Sequence, residues 1–193
     1  PLTEKTKNLI NYELLKKIKL NNKNLIPRES YDIVGDFSSA SFIIVAALIS
    51  PESEVIIKNV GLNPTRNGLL KVLALMGADI EIKNVKNICN EESGDILVRS
   101  SNLNGVDIPE DIIPNIIDEI PILSIAAAFA EGTTNINNAA ELRVKESDRI
   151  NAIAEGLKKL NINHEVFDDG LSITGTNGFV DNNEKINSFD DHR

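Results

Sequence analysis

The run Leu142-Arg143-Val144-Lys145-Glu146-Ser147-Asp148-Arg149-Ile150 concentrates cations and carboxylates where an amphipathic helix is expected to begin. That helix continues through Ile153, Ala154, Leu157 and Leu160, a spacing that aligns one apolar stripe and frees the other faces. If its first turn reaches back to Lys145, the side chains of Lys145 and Arg149, at i and i+4, project from nearly one face and can converge on a single anion. Recognition of a phosphate or a carboxylate is the chemistry that follows. The same run also reads as a solvated helix start decorated with salt bridges, and by itself it does not separate the two readings.

Three carboxylates, Asp36, Asp118 and Asp191, each stand just before a segment expected to be a buried helix. An N-cap role, in which the side chain accepts backbone amide hydrogen bonds and complements the helix dipole, accounts for such a position, and for Asp36 it is the preferred account. Other chemistries lack their residues. His164 and His192 have no Cys or His companion at ligand spacing, so no metal is expected. Cys89 lies among Asn and Glu without a nucleophile's surroundings. Gly175-Thr176-Asn177-Gly178 has neither the lysine nor the following helix of a phosphate loop.

Composition narrows the class further. The chain has 193 residues, 41% hydrophobic and 25% charged, enough for one substantial core or two small ones. A net charge of −9 opposes binding to a polyanion, so no nucleic-acid partner is expected; a small anionic substrate would need a local cluster of Lys and Arg. The longest apolar stretch, Ile120 to Ala130, is interrupted by Pro121 and Ser124 and is too short to cross a bilayer. A single cysteine suits a reducing compartment, and the start at Pro1 shows no signal or transit pattern, so an intracellular chain is expected.

The elements that must position these residues recur with a long period. Phe37 to Ile49 reads as a buried helix, Glu54 to Val60 as a strand, Gly68 to Met76 as a helix, and Ala78 to Ile82 and Asp95 to Arg99 as strands. The second half answers with a helix over Ile120 to Ala130, a strand over Thr133 to Asn138, a helix over Asp148 to Leu160, and strands over His164 to Phe167 and Leu171 to Thr174. A third unit starts near Asp191. Such helix-strand-helix-strand-strand units imply an α/β fold in which neighbouring units bury one another's surface.

The charged run, Asp118-Glu119-Ile120-Pro121 and Asp190-Asp191-His192-Arg193 together resemble motifs of the enolpyruvyl transferase family, in its branch acting on shikimate 3-phosphate. Arg143 to Arg149 looks like that branch's Arg-Val-Lys-Glu-Ser/Thr-Asp-Arg segment without a substitution, and Asp191-His192-Arg193 looks like its Asp-His-Arg segment. Gly35-Asp36-Phe37-Ser38-Ser39-Ala40 and Gly61-Leu62-Asn63-Pro64-Thr65-Arg66 also fit its second domain. The resemblance runs from about Val34 to Arg193, while residues 1 to 33 match it poorly.

The resemblance implies an inside-out α/β fold with two domains, each built of three units about a pseudo-threefold axis, with buried helices and sheets facing solvent. Residues 34 to 193 would be part of the second domain, with units at about 34 to 100 and 112 to 175 and a truncated third. The N-terminal domain of the same protein would be missing, the isolated chain inactive, and the full-length enzyme a cytoplasmic monomer. The implied reaction moves the enolpyruvyl group of phosphoenolpyruvate to the 5-hydroxyl of shikimate 3-phosphate by addition and elimination, releasing phosphate, in the shikimate pathway of aromatic amino-acid biosynthesis. Carried over residue by residue, Asp118 accepts the hydroxyl proton and orients the ring, Lys145 touches both substrates, and Glu146 donates a proton. Arg149 and Arg193 bind phosphoenolpyruvate, Asp191 and His192 support the site, and no cofactor or metal takes part. Some members carry an asparagine where this chain has Glu141. Two rivals remain: the branch acting on UDP-N-acetylglucosamine, which works with a mobile-loop cysteine for which Cys89 is badly placed, and a non-catalytic α/β module. Joint presence of Asp118, Lys145, Glu146, Arg149 and Arg193 argues against the module.

Overall fold

The computed structural model describes Ser30, residues 32–176 and residues 185–192. Residues 1–29, nearly all of the segment 1–33 that the sequence reading set apart, and Arg193 lie outside the described residues. Two blocks of the same element order follow one another. The first comprises α1 (Phe37–Ile49), β1 (Glu54–Gly61), α2 (Gly68–Leu75), β2 (Asp79–Ile88) and β3 (Glu91–Arg99). The second comprises α3 (Ile120–Phe129), β4 (Thr133–Ile136), a 3-10 turn (Ala140–Val144), α4 (Arg149–Lys159), β5 (Asn163–Phe167) and β6 (Gly170–Thr174). Each block forms a three-stranded antiparallel sheet with its last strand in the middle, in the orders β1-β3-β2 and β4-β6-β5. The chain is therefore α/β with small antiparallel sheets, the class expected from its repeats.

Helices α1 and α3 pack against each other at the centre, and their composition explains why. Ile44, Val45 and Leu48 of α1 and Ile120, Leu123, Ala126 and Ala127 of α3 are fully buried, and a helix apolar around most of its circumference can only be accommodated in a core. Helix α4 is amphipathic instead, burying Ile150 and Leu157 and leaving its polar face to solvent. Asp36 caps α1 by accepting from Ser39 N at 2.8 Å, as its position before the helix suggested. Between the blocks, residues 100–109 run beside β4. Asn135 N donates to Val106 O and Ile108 N to Asn135 O, and a Cβ on Gly105 would lie 2.4 Å from Thr133 O, so only glycine permits this approach. Among the described residues no helix is long and apolar enough to cross a membrane.

Strands β2 and β3 are longer than alternation alone predicts, which stopped β2 at Ile82 and began β3 at Asp95. Bulges are the reason. In β1, Lys58 and Asn59 together oppose Asp95, and in β2, Asn84 and Val85 together oppose Gly94, so the period-two pattern breaks while the ladder continues. Asn59 and Asn84 take positive φ values of 56° and 51°, which asparagine tolerates. Asp95 holds both bulges, accepting from Asn59 N at 2.9 Å and Asn84 Nδ2 at 2.8 Å. The Asn84 hydrogen bond, followed by that from the Asn59 amide, keeps the Asp95 carboxyl below its ordinary value.

A group with a depressed folded pKa stabilises the fold above its unfolded pKa, about 4 for aspartate, and that contribution is lost as pH falls through the lower folded value. Asp95→Asn should therefore weaken the fold at pH 7 and flatten its decline in acid. Urea midpoints at pH 7 and pH 3 check this; a variant whose midpoint falls by as much as the wild type's between the two would exclude Asp95 as a source of acid sensitivity.

Candidate functional site

The charged run folds in two parts. Leu142, fully buried, anchors the 3-10 turn Ala140–Val144, after which Lys145 takes an extended conformation with φ −78° and ψ −159°. Asp148 then caps α4, accepting from Asn151 N at 3.1 Å, so the helix begins at Arg149. The helical turn that would have put Lys145 and Arg149 on one face is absent, and this corrects the i, i+4 expectation. The physical reason is that the Asp148 carboxylate satisfies a first-turn amide, which requires non-helical backbone at Asp148 itself. Arg143 reinforces the break, donating to the carbonyls of Phe167 and Asp168 at 2.6 Å each and to Asp148 Oδ2 at 3.0 Å. Arg143 thus ties the cap to the β5–β6 turn.

Arg149, first residue of α4, is the centre of the site. Its side chain is only 3% exposed and lies among three carboxylates. Nε and Nη2 donate to the two oxygens of Asp191 at 2.8 and 3.1 Å, Nη1 donates to Asp118 Oδ1 at 3.3 Å, and Nη2 donates to Glu146 Oε2 at 2.7 Å. Burial disfavours the charge of Arg149, but the hydrogen bond and charge of Asp191, then Glu146 and Asp118, outweigh it and hold the guanidinium protonated above its ordinary value. The Asp191 side chain is itself 5% exposed and also accepts from Ser147 Oγ at 2.9 Å. The two carboxylates that face the surface more, Asp118 and Glu146, come from the turns that precede α3 and α4.

Asp118 does not cap α3. Glu119 holds the N-cap position and makes no side-chain capping bond, while Asp118 turns to two cations: Arg149, and Arg66 Nη2 at 3.7 Å from its Oδ2. Lys145 pairs with Glu141, the carboxylate that stands in the place of an asparagine. His192 lies at the rim, 61% exposed, with Nδ1 3.7 Å from Asp191 and 3.9 Å from Glu146; these are ion-pair rather than hydrogen-bond separations. Ligand atoms of Glu146, Asp191 and His192 all lie within 4.8 Å of one another, the kind of set that could hold a cation. Here the Arg149 guanidinium lies against both carboxylates of that set. Cys89 is exposed in the turn joining β2 to β3. A cavity of about 250 Å³ adjoins Arg149 and Asp191 between α3 and α4, but Ile125, Ile153, Leu157 and Phe189 make its walls largely apolar and unsuited to an anion.

Of the residues singled out in the sequence, the structure gathers Asp118, Glu146, Arg149, Asp191 and His192. It gives Lys145 a different partner, and Arg193 lies outside the described residues. Sequence reasoning assigned no role to Ser38, Arg66 and Glu119, which border Asp118. Ser38 and Glu119 are bonded across a separation of 81 residues, where the starts of α1 and α3 meet, and no local pattern signals such a contact.

Comparison with known proteins places the chain in a family. The family described as EPSP synthase (3-phosphoshikimate 1-carboxyvinyltransferase) matches residues 10–193. A 3-phosphoshikimate 1-carboxyvinyltransferase of Petrotoga mobilis is 56% identical over 171 residues, which is 89% of this chain and 39% of that protein. One from Synechocystis is 53% identical over 161 residues, 83% of this chain and 36% of its own length. Among solved structures, an EPSP synthase of Acinetobacter baumannii superposes with a TM-score of 0.75 at 44% identity, covering 78% of this chain and 34% of that one. The chain thus spans less than two-fifths of the relatives it matches.

Proposed function

Because the chain belongs to the EPSP synthase family, we propose that it is part of an enzyme transferring the enolpyruvyl group of phosphoenolpyruvate to the 5-hydroxyl of shikimate 3-phosphate with release of phosphate. The observation that carries this reading is the convergence of Asp118 and Glu146, from two separate turns, on one buried guanidinium. The reaction needs two proton-transfer groups held near the substrates, and the guanidinium shared by Asp118 and Glu146 supports assigning those roles to them. Asp118 accepts the hydroxyl proton as the oxygen bonds to C2 of phosphoenolpyruvate, and Glu146 delivers a proton to the methylene carbon. The resulting tetrahedral phospho-ketal then returns a proton from the new methyl group as the C2–O bond to phosphate breaks.

Arg149 already directs four hydrogen bonds at carboxylates out of five available donors. It therefore reaches an anionic substrate by exchanging a partner, and Glu146, at 53% exposure, is the one most easily released. Exchange would leave the Glu146 carboxyl free to approach the substrate. Lys145, by exchanging Glu141 for substrate, and Arg193 complete the anion-binding set, with Asp191 and His192 supporting Arg149. In this reading residues 34–193 belong to one domain of repeated units and the catalytic cleft is completed by the N-terminal domain of the same protein. The enzyme is a cytoplasmic monomer acting on small anions, with no nucleic-acid or membrane partner, and needs no cofactor.

The test is phosphate release from phosphoenolpyruvate plus shikimate 3-phosphate, by this chain alone and by this chain mixed with the remaining segments made separately. Release only from the mixture is expected. No release from a mixture that co-purifies as a folded assembly would overturn the assignment.

A further inference from the structure

Two segments singled out in the sequence, Gly35 to Ala40 and Gly61 to Arg66, have no part in the chemistry just described, yet they meet beside Asp118. Gly35 N donates to Asn59 O and Gly61 N to Gly35 O, which fastens the entry of α1 to the end of β1 just past its bulge. Beyond Gly61 the chain turns sharply: Asn63 Oδ1 accepts from Thr65 N at 3.0 Å and Thr65 Oγ1 at 2.9 Å, and Asn63 O accepts from Arg66 N and Asn67 N. Such a side-chain-closed turn, with Pro64 restricting its backbone, presents Arg66 in one orientation.

The guanidinium then meets a buried pair. Ser38 and Glu119 are 1% and 2% exposed, and Ser38 Oγ donates to Glu119 Oε1 at 2.5 Å. A serine hydroxyl has a single proton, so with that proton directed at Glu119 it presents lone pairs to Arg66 Nη2, which donates to it at 3.0 Å. The same Nη2 lies 3.7 Å from Asp118 Oδ2, while Arg149 holds Oδ1. Glu119 follows Asp118 directly in the chain, so the turn that carries Asp118 is itself anchored to α1. Burying a carboxylate and a hydroxyl is a costly way to join two helices that apolar side chains could join, but it aims a third group where apolar side chains could not.

We propose that Arg66 is a positioning residue for Asp118, directed by the buried Ser38–Glu119 pair, so that two guanidiniums clamp one carboxylate by its separate oxygens. The proposal rests on the reading of Asp118 as proton acceptor, but its geometry can be tested without turnover. In this chain carrying aspartate labelled with ¹³C at the carboxyl carbon, Arg66→Ala should move the Asp118 resonance. Ser38→Ala should move it too, although Ser38 is bonded to Arg66 and Glu119 rather than to Asp118, and should move it less in the Arg66→Ala background, where only the route through Glu119 remains. Arg66 is half-exposed, so its alanine variant is expected to fold; near-ultraviolet circular dichroism checks each variant. An Asp118 resonance unmoved in folded Arg66→Ala, or a Ser38→Ala effect undiminished without Arg66, overturns the clamp.

In the reassembled enzyme, Arg66→Ala should lower kcat about ten- to a hundredfold with little change in KM, as a misplaced catalytic group does, and Arg66→Lys should recover part of the loss. An active wild-type mixture whose kcat is indifferent to Arg66→Ala overturns the positioning role. A wild-type mixture that co-purifies as a folded assembly but is inactive, with the expected resonance shifts, instead overturns the enzymatic reading and leaves the clamp standing.

Discussion

Asp118→Asn in the reassembled enzyme is expected to reduce phosphate release by about two to four orders of magnitude, the range for loss of a general base. Asparagine keeps the size and shape of the side chain and removes its charge and its capacity to take a proton. The turn before α3 is held by Glu119 and by the core residue Ile120, neither of which the substitution touches, so the variant is expected to fold. One consequence is local: the new amide group supplies one acceptor where two oxygens faced Arg149 and Arg66, so one guanidinium loses its partner. Initial rates at saturating phosphoenolpyruvate and shikimate 3-phosphate measure the effect, with calorimetric binding of shikimate 3-phosphate to show that the site still forms. A rate within tenfold of wild type would place the proton acceptor elsewhere.

Arg149→Met should cost about 3–5 kcal/mol of folding stability, the loss typical when one partner of a buried ion pair is removed. Most of that comes from Asp191. Its side chain is 5% exposed and receives two bonds from Arg149, so the substitution removes the guanidinium that offsets most of the cost of burying that charge. The pair with Glu146, half-exposed, adds little. Arg149→Lys is not expected to restore the wild type, because an ammonium cannot reproduce a fork that donates to three carboxylates. Replacing both partners, Arg149→Met with Asp191→Leu, should recover much of the stability, since an apolar pair can substitute for a buried ionic one, while leaving no anion site. Urea unfolding monitored by far-ultraviolet circular dichroism gives the comparison. A loss below about 1 kcal/mol for Arg149→Met would mean that the network behaves as a set of surface pairs.

The secondary structure was legible because it is written in local periodicity. The apolar character of α1 and α3, the stripe of α4, and the strands β4 to β6 all follow from which neighbouring side chains must share a face. The caps at Asp36 and Asp148 are local in the same sense, since each carboxylate reaches an amide three residues on. Periodicity ran out in β2 and β3, where the bulge at Asn84 shifts the register, because that bulge is held by Asp95 on the partner strand rather than by anything in its own.

The site divides along the same line. Residue types and order identified Asp118, Lys145, Glu146, Arg149, Asp191, His192 and Arg193 as the chemically capable set and matched them to a family, without showing which cation would face which carboxylate. Proximity in the chain suggested a Lys145–Arg149 partnership, but the capping of α4 by Asp148 dissolved it. Arg149 instead meets Asp118 and Asp191, separated from it by 31 and 42 residues. Arg66 and Ser38 meet across 28 residues, and Ser38 and Glu119 across 81. By itself the sequence determined the elements, the repeat and the inventory of charges, because each of these is set by interactions within a few residues. Only the tertiary structure decided the pairing of those charges, because an ion pair depends on distance and burial, and both are set where the turns before α3 and α4 meet the segment at Asp191 around one desolvated guanidinium.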